Sequence, residues 1–131
     1  MKITVQEIEA KSKAALIAHG AADMQAGHVA RAVARAEALG NVICGLYYLE
    51  SYCTQLASGR VSGTVYPIVS KPRLGAVKSD AQFGFAQPAF AAGLAQAVST
   101  ARDNGIASYA ISTRIPAPRW AISPNKSLHT A

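Results

Sequence analysis

Apolar residues recur at three- and four-residue steps through the first 57 positions of this chain. From position 60 they give way to β-branched residues interrupted by glycine and proline. A three-to-four period marks one face of a helix, whereas the second pattern marks extended chain and turns. Thr4-Val-Gln-Glu7 has the spacing of a capping box, in which hydroxyl and carboxylate satisfy the free amides at a helix start. It predicts a first helix over 5–18, with Val5, Ile8, Ala15 and Leu16 as its apolar residues and Gly20 as a left-handed stop. Asp23 is expected to cap a second helix over 24–39, whose stripe is Val29, Ala32, Val33 and Ala36, with Arg31 and Arg35 beside it and Gly40 at its end. A third helix is expected over 45–57, with Leu46, Leu49, Cys53 and Leu56 on one side and Gly59 as its cap.

Beyond it, Gly63, Pro67 and Pro72 make 60–74 an extended crossing. Positions 75–80 read as a short strand. Pro88 suits the first turn of a fourth helix, which continues through Leu94 and Val98 to Arg102 and stops at Gly105. A second strand follows over 106–112. Strand, helix and strand in succession predict a βαβ unit with both strands parallel. The fold class is therefore mixed α/β: a helical segment (1–59), the crossing (60–74), a strand-helix-strand unit (75–112) and an irregular tail (113–131).

Composition changes this picture little. Half of the 131 residues are hydrophobic, enough for one moderate core. No apolar run approaches the roughly 20 residues that span a bilayer. The first 13 residues mix Glu7 and Glu9 with Lys2, Lys11 and Lys13 and lack the apolar stretch of a signal peptide, so a cytoplasmic location is expected. The net charge is +6, yet all seven acids lie at or before Asp103, and Arg114, Arg119 and Lys126 carry much of the excess. There is no basic stripe interleaved with aromatics, so neither nucleic acid nor membrane is an expected partner. Cys44 and Cys53, nine residues apart on what reads as one helical segment, point to different faces and are not expected to form a disulfide. With His19, His28 and His129 the only histidines, no metal-ligand spacing occurs. His19 and His28 are expected to be solvated.

Gly84-Phe-Ala-Gln87, the turn before the fourth helix, lacks the G-x-G-x-x-G of a dinucleotide fingerprint, which leaves a Rossmann fold unsupported. The order of elements, Gly40-Asn-Val-Ile-Cys-Gly45-Leu-Tyr-Tyr-Leu, Gly75-Ala-Val-Lys-Ser-Asp80, Gly84-Phe-Ala-Gln87 and Ala101-Arg-Asp-Asn-Gly-Ile106 together resemble the start of the malate/L-lactate dehydrogenase family, over residues 1 to about 112. This family of non-Rossmann oxidoreductases includes ureidoglycolate, sulfolactate and cyclic-imine reductase relatives. The resemblance implies hydride transfer between NAD or NADP and a small 2-hydroxy, 2-keto or 2-imino carboxylic acid, and a homodimer. Chains of that family are well over twice as long, so it also implies a truncated piece, inactive alone, with most of the cofactor site elsewhere.

In that family the turn between the second and third helices reads G-x-D-S-H-G-x-x-R, its His and Arg belonging to the active site. Gly40 and Gly45 match, but Cys44 stands at the His position and Tyr48 at the Arg position. The resemblance thus marks Cys44 and Tyr48 as the candidate catalytic residues while removing the usual proton-transfer group and carboxylate clamp. A thiol acts as acid or base only when its surroundings tune it, and a tyrosine donates a hydrogen bond without pairing charge. The plainer alternative is that Cys44 is a small buried residue at a tight turn. Tyr47, Tyr48 and Tyr52 lie close together and suit packing or dimer contacts. A different function class also remains, a non-enzymatic helical dimerisation or interaction module.

After Ser112 the family has a His-containing segment and a Gly-Tyr pair, where this chain has Thr113-Arg-Ile-Pro-Ala-Pro-Arg-Trp120 and a tail without acids. A shifted reading frame, begun on the third base of each codon, permits H-S-H and a Gly-Tyr pair followed by an amphipathic helix. The glycine is forced by the Trp120-Ala121 step. The tail is therefore expected to be out of frame.

Overall fold

The computed structural model describes residues 2–113, so the tail at 114–131 and its frameshift reading lie outside the described residues. α1 (Val5–Ala18) begins with the expected capping box: Glu7 N donates to Thr4 Oγ1 at 3.2 Å, and Thr4 N donates to Glu7 Oε2 at 2.8 Å. It ends at His19, with Gly20 left-handed at φ 101°. α2 (Asp23–Ala38) corrects one expectation, because its cap is Ala22 and no side chain caps it. Asp23 is instead the first helical residue, and its carboxylate pairs with Lys13 Nζ at 2.7 Å, tying the start of α2 to α1. The buried stripe of α2 also runs differently from that expected. Ala26, Val29, Ala30, Val33 and Ala34 are buried, while Ala32 and Ala36 are half-exposed. The reason is that α2 touches α1, α3 and α4, which buries a wider face than a single stripe. With Leu16, Cys53, Leu56 and Phe85 these residues form the core. Burying each valine or leucine there contributes about 1.5–3 kcal/mol.

Gly40 is left-handed at φ 75° and turns the chain into a single 3₁₀ turn, Val42–Cys44. α3 (Leu46–Ala57) follows. Cys44 and Cys53 therefore do not share a helix: Cys44 is exposed on the turn, and Cys53 is buried in α3. Gly45, the cap residue of α3, has no side chain to offer, and Glu37 from the end of α2 supplies the acceptor. Leu46 N donates to Glu37 Oε1 at 2.7 Å. A Cβ on Gly45 would collide with that carboxylate, so glycine is what lets one helix cap the next. On α3, Cys53 and Leu56 are buried and Leu49 is half-buried, but Leu46 is exposed.

The stretch expected as an extended crossing contains a strand. β1 (Ile68–Arg73) turns at Leu74 and Gly75 into β2 (Ala76–Asp80), and the two pair antiparallel with Val69 opposite Ser79. Pro72 reads as a strand breaker, yet it falls where the register shifts between Ser70 and Arg73, on an edge strand where a missing N–H is tolerated. α4 (Ala86–Asn104) carries Pro88 in its first turn and stops at a left-handed Gly105, φ 81°. β3 (Ser108–Ser112) pairs parallel with β2, Val77 opposite Tyr109, so the βαβ unit is present in a sheet ordered β1-β2-β3. α4 covers one face of this sheet and buries Val77 and Ser79. Gly93 makes room for Tyr109, whose hydroxyl shares its proton between the carbonyls of Ala89 and Phe90 at 2.9 and 2.8 Å.

Gln25 joins the two halves. Only 1% exposed on α2, it donates through Nε2 to the carbonyls of Val65 at 2.6 Å and Ser62 at 3.2 Å, and Phe85 N donates to its Oε1 at 3.4 Å. The crossing and the start of α4 are thus held against the helical layer by one buried amide. Among the described residues no helix is long and apolar enough to cross a membrane, and no group of His, Cys, Asp and Glu could hold a metal ion.

Candidate functional site

Cys44 and Tyr48 are both at the start of α3 but have different surroundings. Cys44 N donates to Asn41 Oδ1 at 3.4 Å, which fixes the turn. Its thiol is exposed and has no hydrogen-bond partner among the described residues, so the buried-turn alternative is overturned. The turn offers no hydrophobic cover: Val42 and Ile43 beside it are exposed too. Tyr48 is 43% exposed and lies against Tyr52, ring centroids 5.4 Å apart, and Tyr52 in turn meets the edge of Phe85 at 5.4 Å. A line of three rings therefore runs from the start of α3 to the cap of α4. It is locked by Gln87, whose Nε2 donates to the Tyr52 hydroxyl oxygen at 3.2 Å. Tyr47 is 75% exposed and stands outside this line.

Below the rings is a cavity of about 270 Å³. Tyr52, Gln55 and Arg60 border it from the side of α3, and Phe85, Gln87 and Thr113 from the other. The wall at 81–84 is strained. Gln82 and Phe83 both have positive φ, 51° and 65°, conformations that non-glycine residues adopt at a cost of about 1 kcal/mol or more each. Hydrogen bonds hold them there: Gln82 N to Asp80 Oδ1 at 2.9 Å, Gly84 N to Ala81 O at 2.7 Å, and Ser62 N to Phe83 O at 2.8 Å. Two left-handed residues in succession have no signature in Gln-Phe, so nothing in those residue types announces this turn.

Larger hollows exist along α3 and between α2 and α4. A groove of about 510 Å³ between α2 and α4 places His28, Arg31 and Arg35 opposite Phe90 and Ile111. His28 is thus half-buried rather than fully solvated. His19 is exposed as expected, its Nδ1 2.7 Å from the Ala15 carbonyl. Burial pushes the Cys53 thiol up, which keeps it protonated and unreactive. Gln87 and Arg60 border the candidate site beside Tyr52, and periodicity could not single them out, since only the fold brings 52, 60 and 87 around one cavity.

The same local features lie within sequence shared with known proteins. The profile of the malate/L-lactate dehydrogenase family matches residues 3–114. The chain is 36% identical over 111 residues to a Δ1-pyrroline-2-carboxylate/Δ1-piperideine-2-carboxylate reductase of Pseudomonas putida, covering 85% of this chain and 33% of that protein. It is 35% identical over 109 residues to a (2R)-3-sulfolactate dehydrogenase (NADP+) of Chromohalobacter salexigens, covering 83% and 32%. In three dimensions it superposes on the crystal structure of the Δ1-piperideine-2-carboxylate reductase of Pseudomonas syringae pv. tomato with a TM-score of 0.81 at 31% identity, covering 85% of this chain and 33% of that one. The chain thus spans about a third of the length of the relatives it matches. These relatives are reductases and dehydrogenases, and the match runs from the capping box of α1 through the end of β3: the chain belongs to the malate/L-lactate dehydrogenase family.

Proposed function

We propose that this chain is the N-terminal part of an oxidoreductase that uses NAD or NADP to interconvert a small 2-hydroxy or 2-imino carboxylic acid and its oxidised or reduced partner. The observation that carries the reading is the 36% identity, sustained over 111 residues, to a cyclic 2-imino acid reductase. When bound, the nicotinamide supplies the hydride. The protein must orient the carboxylate and place a proton donor beside the reacting nitrogen or oxygen. By its place in the turn Cys44 is the candidate for the proton donor, and Tyr48 for a hydrogen-bond donor toward the substrate. The tyrosine is held by its ring contact with Tyr52.

The turn before α4 has few free amides to offer a pyrophosphate. Pro88 removes an amide from the first turn of the helix, Gly84 N is spent on Ala81 O, and Phe85 N on Gln25. No step is therefore assigned to a dinucleotide at α4, and the described residues form one wall of the site. Two copies side by side, with Tyr47 in the contact, complete the proposed arrangement; a location in the cytoplasm belongs to the same reading.

The test joins this chain to the remaining two thirds of the P. putida reductase and follows nicotinamide absorbance with Δ1-piperideine-2-carboxylate. Turnover by the joined protein and none by the 131-residue chain is the expected result. A folded joined protein without turnover would sink the reading. So would saturable NADPH binding with turnover by the short chain, which would make it a complete small enzyme. A version with the tail read in the shifted frame tests the frame proposal in the same assay.

A further inference from the structure

We infer that Arg60 is a carboxylate-binding residue, gripping its ligand in the 270 Å³ cavity at the far end of α3 from Tyr48. For the identity of its ligand as a small 2-substituted carboxylate, this rests on the proposed function above.

A carboxylate leaving water for a cavity needs a cation or several donors, or its desolvation goes uncompensated. Of the residues bordering the 270 Å³ cavity, Arg60 is the one that carries a charge. Its guanidinium has no ion-pair partner among the described residues, whose ion pairs join Lys13 to Asp23 and Arg31 to Glu9. It is therefore an uncommitted planar fork of donors, the geometry that grips a carboxylate with two parallel hydrogen bonds.

The backbone beneath it is fixed on both sides. Gly59 is left-handed at φ 72° and donates to Leu56 O at 3.1 Å, Val61 N donates to Gln55 O at 3.2 Å, and Ser62 N reaches across to Phe83 O at 2.8 Å. Arg60 thus projects from a pinned corner between the end of α3 and the strained 81–84 turn, and the strain has a use if that turn walls a binding site. Beside it, the Tyr52 hydroxyl accepts from Gln87, which leaves its own proton free for a second, neutral hydrogen bond. Phe85, Val61 and Ala86 give the cavity an apolar side for a ring or short chain. The size fits: pockets for drug-sized ligands run from about 300 to 1,000 Å³. A cavity of about 270 Å³ suits something smaller. Arg60 also borders the groove along α3 that Glu50 lines, so Glu50 is its competing partner, although the two form no ion pair.

The test uses the 131-residue chain and pyrrole-2-carboxylate, a flat analogue of a cyclic imino acid, with pyrrole-2-carboxamide as its uncharged counterpart. Binding is followed by calorimetry and by the Arg60 Nε–H resonance. The expected result is saturable carboxylate binding that moves the Arg60 resonance and weakens about tenfold or more in R60Q, with R60K between. The carboxamide should bind wild type and R60Q alike, and E50Q should leave or tighten carboxylate binding. Circular dichroism confirms that each variant folds. Equal carboxylate affinity in R60Q, or no saturation by the wild-type chain at millimolar ligand, would overturn the assignment. The joined protein separates this failure from that of the parent reading. If it turns over but R60Q leaves its KM for the imino acid unchanged, Arg60 is wrong and the oxidoreductase reading stands. If it is inactive while the short chain binds carboxylate through Arg60, the reverse holds.

Discussion

The helical layer and the sheet of this chain are held together in opposite ways. In α1–α3 the core is closed: Leu16, Val29 and Ala30 are fully buried, and each helix is ended or capped by neighbouring residues. In the sheet, β1 is exposed along almost its whole length, and Leu74 and Ile106 at the strand ends are 81% and 79% exposed. Phe90, Leu94 and Val98 on the outer side of α4 are exposed as well. Parallel strands are ordinarily covered on both faces, and here α4 covers one. The helical layer is thus stabilised by area, while Gln25 joins the crossing and the start of α4 to it and the Tyr109–Gly93 contact joins α4 to β3. The candidate site lies along the seam between them, bordered by α3 on one side and on the other by 83–87, which Gln25 holds at Phe85.

Breaking the first joint should have the largest effect. Gln25→Leu leaves the carbonyls of Val65 and Ser62 and the amide of Phe85 without their partner. Unsatisfied buried groups cost about 1–3 kcal/mol each, partly relieved by water, so a loss of about 3 kcal/mol in chemical denaturation is expected. Hydrogen exchange should accelerate at 62–65 and 83–87 well before α1. Equal acceleration throughout would mean that the two regions unfold as one and that the contrast between them is only apparent.

The second joint gives a smaller and more local effect. A methyl at Gly93 would meet the Tyr109 ring, with Cε2 and Cζ at 2.9 Å, so Gly93→Ala must push the ring away or part α4 from β3. The expected loss is about 2 kcal/mol, within the usual range for overpacking. Tyr109→Phe keeps the ring and removes only the bond to Ala89 and Phe90, which should cost about 1 kcal/mol. Protection in α1 and α2 should be unchanged in both. If Tyr109→Phe proves as damaging as Gly93→Ala, the hydrogen bond rather than the close fit holds the sheet.

This contrast also explains what could be read in the sequence. Thr4, Glu7, Gly20, Gly40, Gly59 and Gly105 act on their immediate neighbours, so the helix ends were legible to within a residue or two. Asp23 reads as a cap because a carboxylate suits that position as well as the first helical residue, and only Lys13 on another helix decides between them. β1 reads as extended crossing because Pro72 signals a break, and what rescues the strand is its place at the sheet edge, a property of the whole sheet. The resemblance marks Cys44 and Tyr48 as candidates. Arg60, Gln87 and Gln25 were invisible as partners because their separations, 60 with 87 and 25 with 65, are set by tertiary contact alone.

A pair of buried serines sharpens the comparison in the stabilising direction. Ser12 in α1 and Ser79 in β2 are both 0% exposed, and neither hydroxyl has a partner among the described residues. Alanine removes the unsatisfied group in both cases. In α1 it also gains helix propensity, whereas alanine is a poor strand residue. Ser12→Ala should therefore stabilise by about 1 kcal/mol and Ser79→Ala by distinctly less. Thermal melts of the two variants against wild type measure the difference, and a larger gain at Ser79 would show the sheet to be more tightly packed than its exposure indicates.

The smallest effect concerns the start of the helical layer. Glu7 is held below its ordinary value of 4.5, first by the hydrogen bond from the Thr4 backbone, then by that from the Thr4 hydroxyl, with a lesser contribution from Lys11. Because the folded pKa is depressed, the stabilisation is fully present above the unfolded value and is lost as pH falls through the folded one. The carboxylate is solvent-exposed, so the contribution is small, and it should show only as a difference. Melting curves of wild type and Glu7→Gln, taken from pH 7 down to acid, should begin to draw together near pH 4.5 and meet only once the pH is below the depressed folded value. Salt should leave most of the gap at neutral pH, since the two leading causes are local hydrogen bonds rather than the charge of Lys11. A gap that persists unchanged into acid would mean that the glutamate acts through its length and not its charge. A gap that salt abolishes would give the leading role to Lys11, and the start of α1 would then be held by screened charge rather than by a local cap.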